Sequence, residues 1–286
     1  MAYITKQQLT DWLHHRLPAV NTAGCTFSLV GGLSGESWRI QGAGIDWLAR
    51  PNSRVQALSG GCRRREFAVL RRMNACGLAP RPVCLDAHWL LVNWTAGPVA
   101  TEADFLRVLS DGSLAGKLRQ LHGCRRYGYP LDLRAQLARY WQRVDRRRLS
   151  PAWLALHRHF QRAPLPACLH LAPLHLDIHA GNLVSDAQDM MLIDWEYAAD
   201  GDIALELAAL VAGNRLGPAQ RHRLFCDYAR PGQGYTPAQL ARFCAQWLPW
   251  VEYLMVMWYE VRWRLTRQPA LLQAAAPLRR AFGLSQ

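Results

Sequence analysis

The 286-residue sequence has no C-x-x-C pair among its eight cysteines, no uninterrupted apolar run of membrane-spanning length, and only two lysines, Lys6 and Lys117. Each shortage excludes something. Cys25, Cys62, Cys76, Cys84, Cys124, Cys168, Cys226 and Cys244 are scattered through a chain long enough to fold without covalent staples. They are therefore expected to be buried free thiols, with no disulfide framework and no local zinc site. The most apolar stretch, 247–263, is interrupted by Glu252, Glu260 and Arg262. It falls short of the roughly 20 apolar residues that cross a bilayer, so no membrane association is expected. Near the N-terminus, Lys6, Gln7, Gln8, Asp11 and two histidines stand where a secretory signal would carry its apolar core, and a cytoplasmic location is expected. Internal repeats and low-complexity tracts are absent.

Half of the residues are apolar, which suits one large domain or two lobes sharing a cleft. The formal charge of +13 raises the question of nucleic acid. The excess is diffuse arginine, a bias that genomic base composition alone can produce. Its densest cluster, Arg146, Arg147 and Arg148, closes a predicted helix and reads as a solvated face complementing the helix C-terminus. No zinc-finger spacing, RNA-binding aromatic motif or helix-turn-helix accompanies it, so no nucleic-acid partner is expected. Nothing marks an obligate protein partner.

The opening segment predicts a helix, with capping-box spacing between Thr5 and Gln8, helical recurrence of Leu9, Trp12 and Leu13, and an end near Pro18. Short apolar runs at 27–30, 38–40 and 45–49 predict three consecutive antiparallel strands, with Gly31, Gly32 and Gly35 in the first turn. Phe67, Leu70 and Met73 predict a helix over 63–76 that stops at Gly77. A proline-rich turn at Pro80 and Pro82 precedes a strand at 89–92. The remainder predicts helices at 102–122, 133–149, 151–160, 203–212, 218–229 and 237–265. The fold class is α+β in two lobes, with a hinge at Gly97.

The most informative stretch is His175-Leu176-Asp177-Ile178-His179-Ala180-Gly181-Asn182, followed by Asp194-Trp195-Glu196. The runs 183–185 and 190–193, separated by a polar turn, predict a hairpin that Asn182 enters and Asp194 leaves. Its open ends would bring the Asn182 amide oxygen beside the Asp194 carboxylate, with Asp177 projecting from the loop before it. Three hard oxygen donors suit Mg²⁺, which keeps water and completes its shell with phosphates. A further carboxylate nearby could accept the proton of an attacking hydroxyl, the equipment of phosphoryl transfer. His175 and His179 read as loop-orienting through hydrogen bonds. Asp202 reads as the cap of the helix that starts at Ile203.

On these residues the sequence resembles the aminoglycoside phosphotransferase and choline kinase superfamily, whose pattern is H-x-D-x-x-x-x-N followed by a metal-binding Asp at a strand end. The resemblance covers roughly residues 27–263. It implies a two-lobed, protein-kinase-like fold, with a nucleotide-binding lobe at 1–97 and a helical lobe with the acceptor site at 98–286. Asp177 would be the catalytic base, Asn182 and Asp194 the Mg²⁺ ligands, and His175 a brace for the loop. Gly31, Gly32 and Gly35 would cover the phosphates of ATP. Residues 91–95, including Val92, Asn93 and Trp94, would be the hinge for adenine. The superfamily often supplies a lysine from the third strand to the α- and β-phosphates; here Arg50 occupies that place with Glu66 as its acidic partner, and Arg54 is a rival.

The next helix begins soon after Asp202, which leaves room only for a small acceptor. The segments 175–183, 192–198 and 201–207 resemble the bacterial thiamine kinases in particular, implying transfer of the γ-phosphate of ATP to the hydroxyethyl group of thiamine. Trp195 and Glu196 adjoin the metal site and are candidates for contact with the thiazolium cation. Glu196 reads equally as a second metal contact or a surface carboxylate. Trp247, Trp250 and Trp258 have the spacing of a core-facing helix, for which packing is the better reading. Choline or ethanolamine kinase is the next reading. An aminoglycoside phosphotransferase ranks behind it, because the positive excess would repel a polycation at long range. The alternative of another class is a catalytically idle nucleotide-binding protein, against which the intact set Asp177, Asn182 and Asp194 argues.

Overall fold

The computed structural model describes residues 6–18, 24–31, 37–42, 44–185, 190–229 and 234–284, with Arg54 and Val55 described by their backbone alone. The chain is α+β, as its patterning predicts. It begins with α1 (Lys6–Arg16), β1 (Thr26–Val30), β2 (Ser37–Gly42), β3 (Ile45–Pro51), α2 (Arg54–Leu58), α3 (Arg63–Ala75), β4 (Pro82–Leu85) and β5 (Trp89–Asn93). The strands form one antiparallel sheet of order β1-β2-β3-β5-β4. Side chains alternate across it. Ile40, Ala49, Trp89 and Leu91 face α1 and bury Leu9 and Leu13, which lie one helical turn apart. Leu48, Leu90 and Val92 face the opposite way, into the main core, and Arg50 shares their side of the sheet by the same period of two.

On α3 the buried positions are Arg63, Glu66, Val69, Leu70 and Met73, a single stripe at helical spacing. The stripe carries an arginine and a glutamate in its first turn, next to the strand that presents Arg50. β4 was not foreseen. Pro82 opens it at the sheet edge beside a bulge, where a missing N–H is tolerated, so the proline-rich turn is shorter than predicted.

The rest of the chain comprises α4 (Glu102–Ser110), α5 (Ser113–His122), α6 (Leu133–Trp141), α7 (Pro151–Arg162), β6 (Leu171–Leu174), β7 (Leu183–Ser185), β8 (Met190–Leu192), β9 (Ala199–Asp202), α8 (Ile203–Gly213), α9 (Pro218–Tyr228), α10 (Pro237–Thr266) and α11 (Pro269–Ala281). Four sequence expectations change here. The helix predicted over 102–122 is two, because Gly112 adopts φ +83° and the Asp111 carboxylate accepts from Ser113 N at 2.8 Å, restarting the backbone. The helix predicted over 133–149 stops at Trp141, and Arg146–Arg148 form a separate 3₁₀ turn capped by Asp145. Its arginines are not all solvated: Arg148 grips Glu260 of α10 at 2.7 and 3.0 Å. Of the eight free cysteines only Cys244 is buried, and Cys62 and Cys168 are exposed. Among the described residues no helix is long and apolar enough to cross a membrane.

Gly97 links the sheet to the helices with φ +121°, and a Cβ there would lie 2.4 Å from Ser185 O. Flanking hydrogen bonds, Ser185 N to Pro98 O at 3.2 Å and Ala100 N to Leu183 O at 2.8 Å, pin this link to the β7–β8 hairpin. Gly97→Ala is expected to destabilise the protein by about 2 kcal/mol or more, through both strain and clash. A urea-unfolding midpoint equal to that of the unaltered protein would refute that account.

Candidate active site

Between the sheet and the helices lies a cavity of about 830 Å³. The hairpin β7–β8 projects into it with the register Leu183 opposite Leu192, and Ile193 N donates to Asn182 O at 3.0 Å. That bond closes the open end, where Asp194 adopts φ +62°. The Asn182 amide nitrogen donates to Asp177 O at 2.9 Å and to Asp177 Oδ2 at 3.1 Å. With Nδ2 so committed, the amide oxygen is the atom turned away from Asp177.

The loop carrying Asp177 is built on Glu206, a fully buried carboxylate on α8. Glu206 accepts from His175 N at 2.6 Å and Leu176 N at 2.9 Å, where Leu176 sits at φ +68°. In the sequence Glu206 is the lone acidic residue of an otherwise apolar helix, a signal that could have marked it. His175 is buried and its Nε2–H donates to Ile193 O at 3.0 Å, so its Nδ1 accepts from Asp177 N at 3.2 Å. Burial holds this imidazole below its ordinary pKa, in keeping with a neutral brace. His179 Nδ1 accepts from Gly181 N at 3.1 Å, and its Nε2 is 3.8 Å from Asp177 Oδ1.

Charge is concentrated along one wall. Arg50 donates to Glu66 and, at 2.6 Å, to Asp194 Oδ1; Glu196 Oε2 lies 3.7 Å away. Arg63 reaches Glu66 at 2.6 Å and Glu196 at 3.3 Å. Burial opposes each of these charges. For Asp194 the Arg50 guanidinium outweighs it and holds the carboxyl below its usual range. For Glu196 burial and the neighbouring Asp194 win, and its pKa is pushed up to about 8. Asp177 keeps about a third of its side chain open to the cavity (35%), yet burial, followed by repulsion from Asp194, pushes its pKa up to about 7.

Of the other sequence candidates, Gly31, Val92, Asn93 and Trp94 line the cavity, while Gly32 and Gly35 lie outside the described residues, as does the Arg54 side chain. The N–H groups of Asn93 and Trp94 are already donated, to Arg81 O and Asp46 O at 2.8 Å each. Trp195 is corrected. It is fully buried, donates Nε1–H to Leu192 O at 2.9 Å and packs edge-on against His175, so it cannot face a ligand in the cavity. Glu196 borders the cavity but is buried, so the surface reading fails. Asp202 does cap α8, and it also accepts from Trp247 Nε1 at 2.8 Å. Trp247 and Trp250 are core residues, as their spacing suggests. Trp258 departs from them: with Tyr197 and Tyr259 it lines the cavity, and its Nε1–H donates to Tyr197 OH at 2.9 Å. Arg63, Glu206, Tyr197 and Tyr259 are site residues that the sequence reading missed.

The sequence pattern of the phosphotransferase enzyme family matches residues 28–243. The chain belongs to that family. Thiamine kinase from Escherichia coli strain K12 is 39% identical over 245 residues, 85% of each chain. Among solved structures, the choline/ethanolamine kinase family protein from Mesorhizobium loti superposes with a TM-score of 0.73 at 18% identity, covering 98% of this chain and 94% of that one. The Plasmodium vivax ethanolamine kinase gives 0.77 at 12% identity, covering 98% and 89%. The two-lobed kinase-like fold is thus shared, and this phosphotransferase is an ATP-dependent small-molecule kinase.

Glu206→Gln would turn an amide NH₂ or a single acceptor toward two backbone N–H groups, costing about 2 kcal/mol. In this phosphotransferase that variant should unfold at lower urea, and the His175 and Leu176 amides should exchange faster than in the unaltered protein. Unchanged exchange at both would sink the clamp.

Proposed function

We propose that this enzyme is a cytoplasmic thiamine kinase, transferring the γ-phosphate of ATP to the hydroxyethyl oxygen of thiamine to give thiamine monophosphate. The observation that carries this is the 39% identity, over 85% of both chains, to proteins named thiamine kinase. In this reading the nucleotide occupies the cleft between residues 1–97 and 98–286. Gly31 lies over its phosphates and Arg50, braced by Glu66, contacts them.

Asp177 Oδ accepts the proton of the attacking hydroxyl, and a carboxyl whose pKa lies near neutrality is matched to that task. His175 and His179 hold the loop. The residues fit Mg²⁺: Asp194 supplies a carboxylate and Asn182 an amide oxygen left over once its nitrogen is bound to Asp177, a hard and sparse donor set of the kind this ion accepts. Bound there, the ion would neutralise charge on the transferring phosphoryl group. The cavity is also lined by Trp258, Tyr259 and Tyr197, aromatic rings suited to a flat heteroaromatic monocation.

The test is ADP release with ATP and Mg²⁺ against thiamine, choline, ethanolamine and kanamycin, with the product mass confirmed. Thiamine is expected to turn over selectively; preference for another acceptor would overturn the substrate, and no turnover with any would leave the idle nucleotide-binding protein as the better reading. Asp177→Asn should lower kcat by about 10²-fold or more with nucleotide affinity retained, and near-normal turnover would remove it as base.

The base works ionised, so kcat/KM should rise with pH through an acid limb at or below about 7 and then level off. A rate independent of pH from 5 to 8 would contradict this. The same raised pKa has the opposite sign for stability. The folded protein holds a proton there that the unfolded chain releases, so this group's contribution falls as pH rises from the ordinary carboxylate range to about 7.

A further inference from the structure

Among the described residues five carboxylates border the cavity, and four of them have partners or a task. Arg50 holds Glu66 and Asp194, Arg63 holds Glu196, and Asp177 sits on the loop that Glu206 clamps. The fifth is Asp132, an exposed residue at the N-cap of α6. Its Oδ1 accepts from Ala135 N at 2.9 Å, and no described residue binds its Oδ2. A cap needs one oxygen only, which serine, threonine or asparagine supplies as well. The negative charge and the second oxygen of Asp132 are thus surplus to the fold. The segment before it is firmly tied: Asp200 Oδ1 accepts from Tyr127 N at 2.7 Å, and Oδ2 from Gly128 N and Tyr129 N at 2.7 and 3.1 Å, with Gly128 making the turn at φ +86°. Two backbone bonds of 2.8 Å, Asp200 N to Tyr129 O and Leu131 N to Asp200 O, fasten it to β9. The partner of β9 is β6, which runs directly into His175, so one small sheet sets Asp132 and the Asp177 loop relative to each other.

We propose that Asp132 is an acceptor-recognition residue, whose carboxylate takes the exocyclic amino group of an aminopyrimidine. This rests on the thiamine reading and deepens it. Like Trp258 and Tyr259, Asp132 comes from the helical lobe that carries the acceptor in that reading. Thiamine has two ends: a thiazolium cation bearing the hydroxyethyl group, and an uncharged pyrimidine bearing an NH₂. Aromatic rings suit the first but cannot tell an amino group from a hydrogen atom. A hydrogen-bond acceptor can, and an ionised one makes the stronger bond. A site that keeps such an acceptor for an NH₂ disfavours an analogue without it, because the carboxylate then loses water and gains no donor. A carboxylate that only capped α6 would make no such distinction.

The experiment measures kcat/KM of the full chain with thiamine and with desamino-thiamine, in which hydrogen replaces the amino group, at saturating ATP and Mg²⁺. Thermal unfolding and the KM for ATP are recorded for every variant. The unaltered protein should prefer thiamine by about tenfold or more. Asp132→Ser and Asp132→Thr both keep a cap for α6 but lack the carboxylate, and in each the preference should shrink to about twofold or less. The loss should fall on thiamine, with desamino-thiamine changed by less than about threefold and the KM for ATP unaltered. No preference in the unaltered protein, a preference that survives in the variants, or an equal loss with both acceptors would each overturn the proposal, the last by showing a structural role. Failure of the unaltered protein to phosphorylate thiamine is read before any variant and would instead overturn the acceptor reading itself, and the proposal with it.

Discussion

Five ionisable side chains, Arg50, Arg63, Glu66, Asp194 and Glu196, are largely withdrawn from water where the sheet meets the helices, and the rest of the site depends on their staying together. None could remain ionised alone in such a place, because the desolvation cost of an isolated buried charge exceeds what folding can supply. They come from three separate pieces of chain: the end of β3, the first turn of α3 and the segment after β8. Moving any one piece away would leave an unpaired charge in an apolar surround. The cluster therefore acts as a geometric constraint more than as a source of stability, fixing the sheet relative to the hairpin that carries Asn182 and Asp194.

The same logic explains why the backbone tolerates two non-glycine residues in left-handed conformations within the site, Leu176 at φ +68° and Asp194 at φ +62°. Each costs roughly 1–2 kcal/mol, and each is held by a charged group on another element. Glu206 receives the N–H groups of His175 and Leu176, and Arg50 holds the Asp194 carboxylate. The turns that result aim Asp177 and Asp194 at one cavity, close enough that repulsion between them helps raise the pKa of Asp177. Strain, burial and acid–base tuning at this site thus share one origin, in carboxylates forced close by elements that have other reasons to pack.

What could be read from the sequence was local. The hairpin from Asn182 to Asp194 is encoded within a dozen or so residues by short apolar runs around a polar turn, and the first three strands by glycine-punctuated runs of the same kind. The stripe on α3 was legible as a helix but not as part of an ion-pair cluster, because Arg63 meets Glu196, far along the chain, only in the folded structure. Trp195 looked available beside Asp194, but the positive φ of Asp194 turns the chain so that the next side chain enters the core. On α10 the spacing of three and four located a buried face, yet such a face can border a cavity as readily as a core, and Trp258 does so where Trp247 and Trp250 do not. β6 and β9 contain Pro173 and the run Ala199–Asp202, neither of which has strand patterning; their pairing is set by the surrounding helices.

The chain's formal charge of +13 and the carboxylate-rich wall of its cavity act over different distances. At long range the excess arginine attracts a nucleotide and repels any cationic acceptor, and salt weakens both effects. Inside the recess carboxylates and aromatic rings share the walls: Asp177 and Glu196 border it, as do Trp258, Tyr259 and Tyr197. Glu196 already answers to Arg63 and Arg50, whereas Asp177 keeps about a third of its side chain open to the cavity. One delocalised charge on a flat ring can rest on such aromatic rings without claiming a carboxylate. The aromatic part of the chamber's lining, more than the charge of the chain, therefore fits the thiamine-like acceptor proposed above.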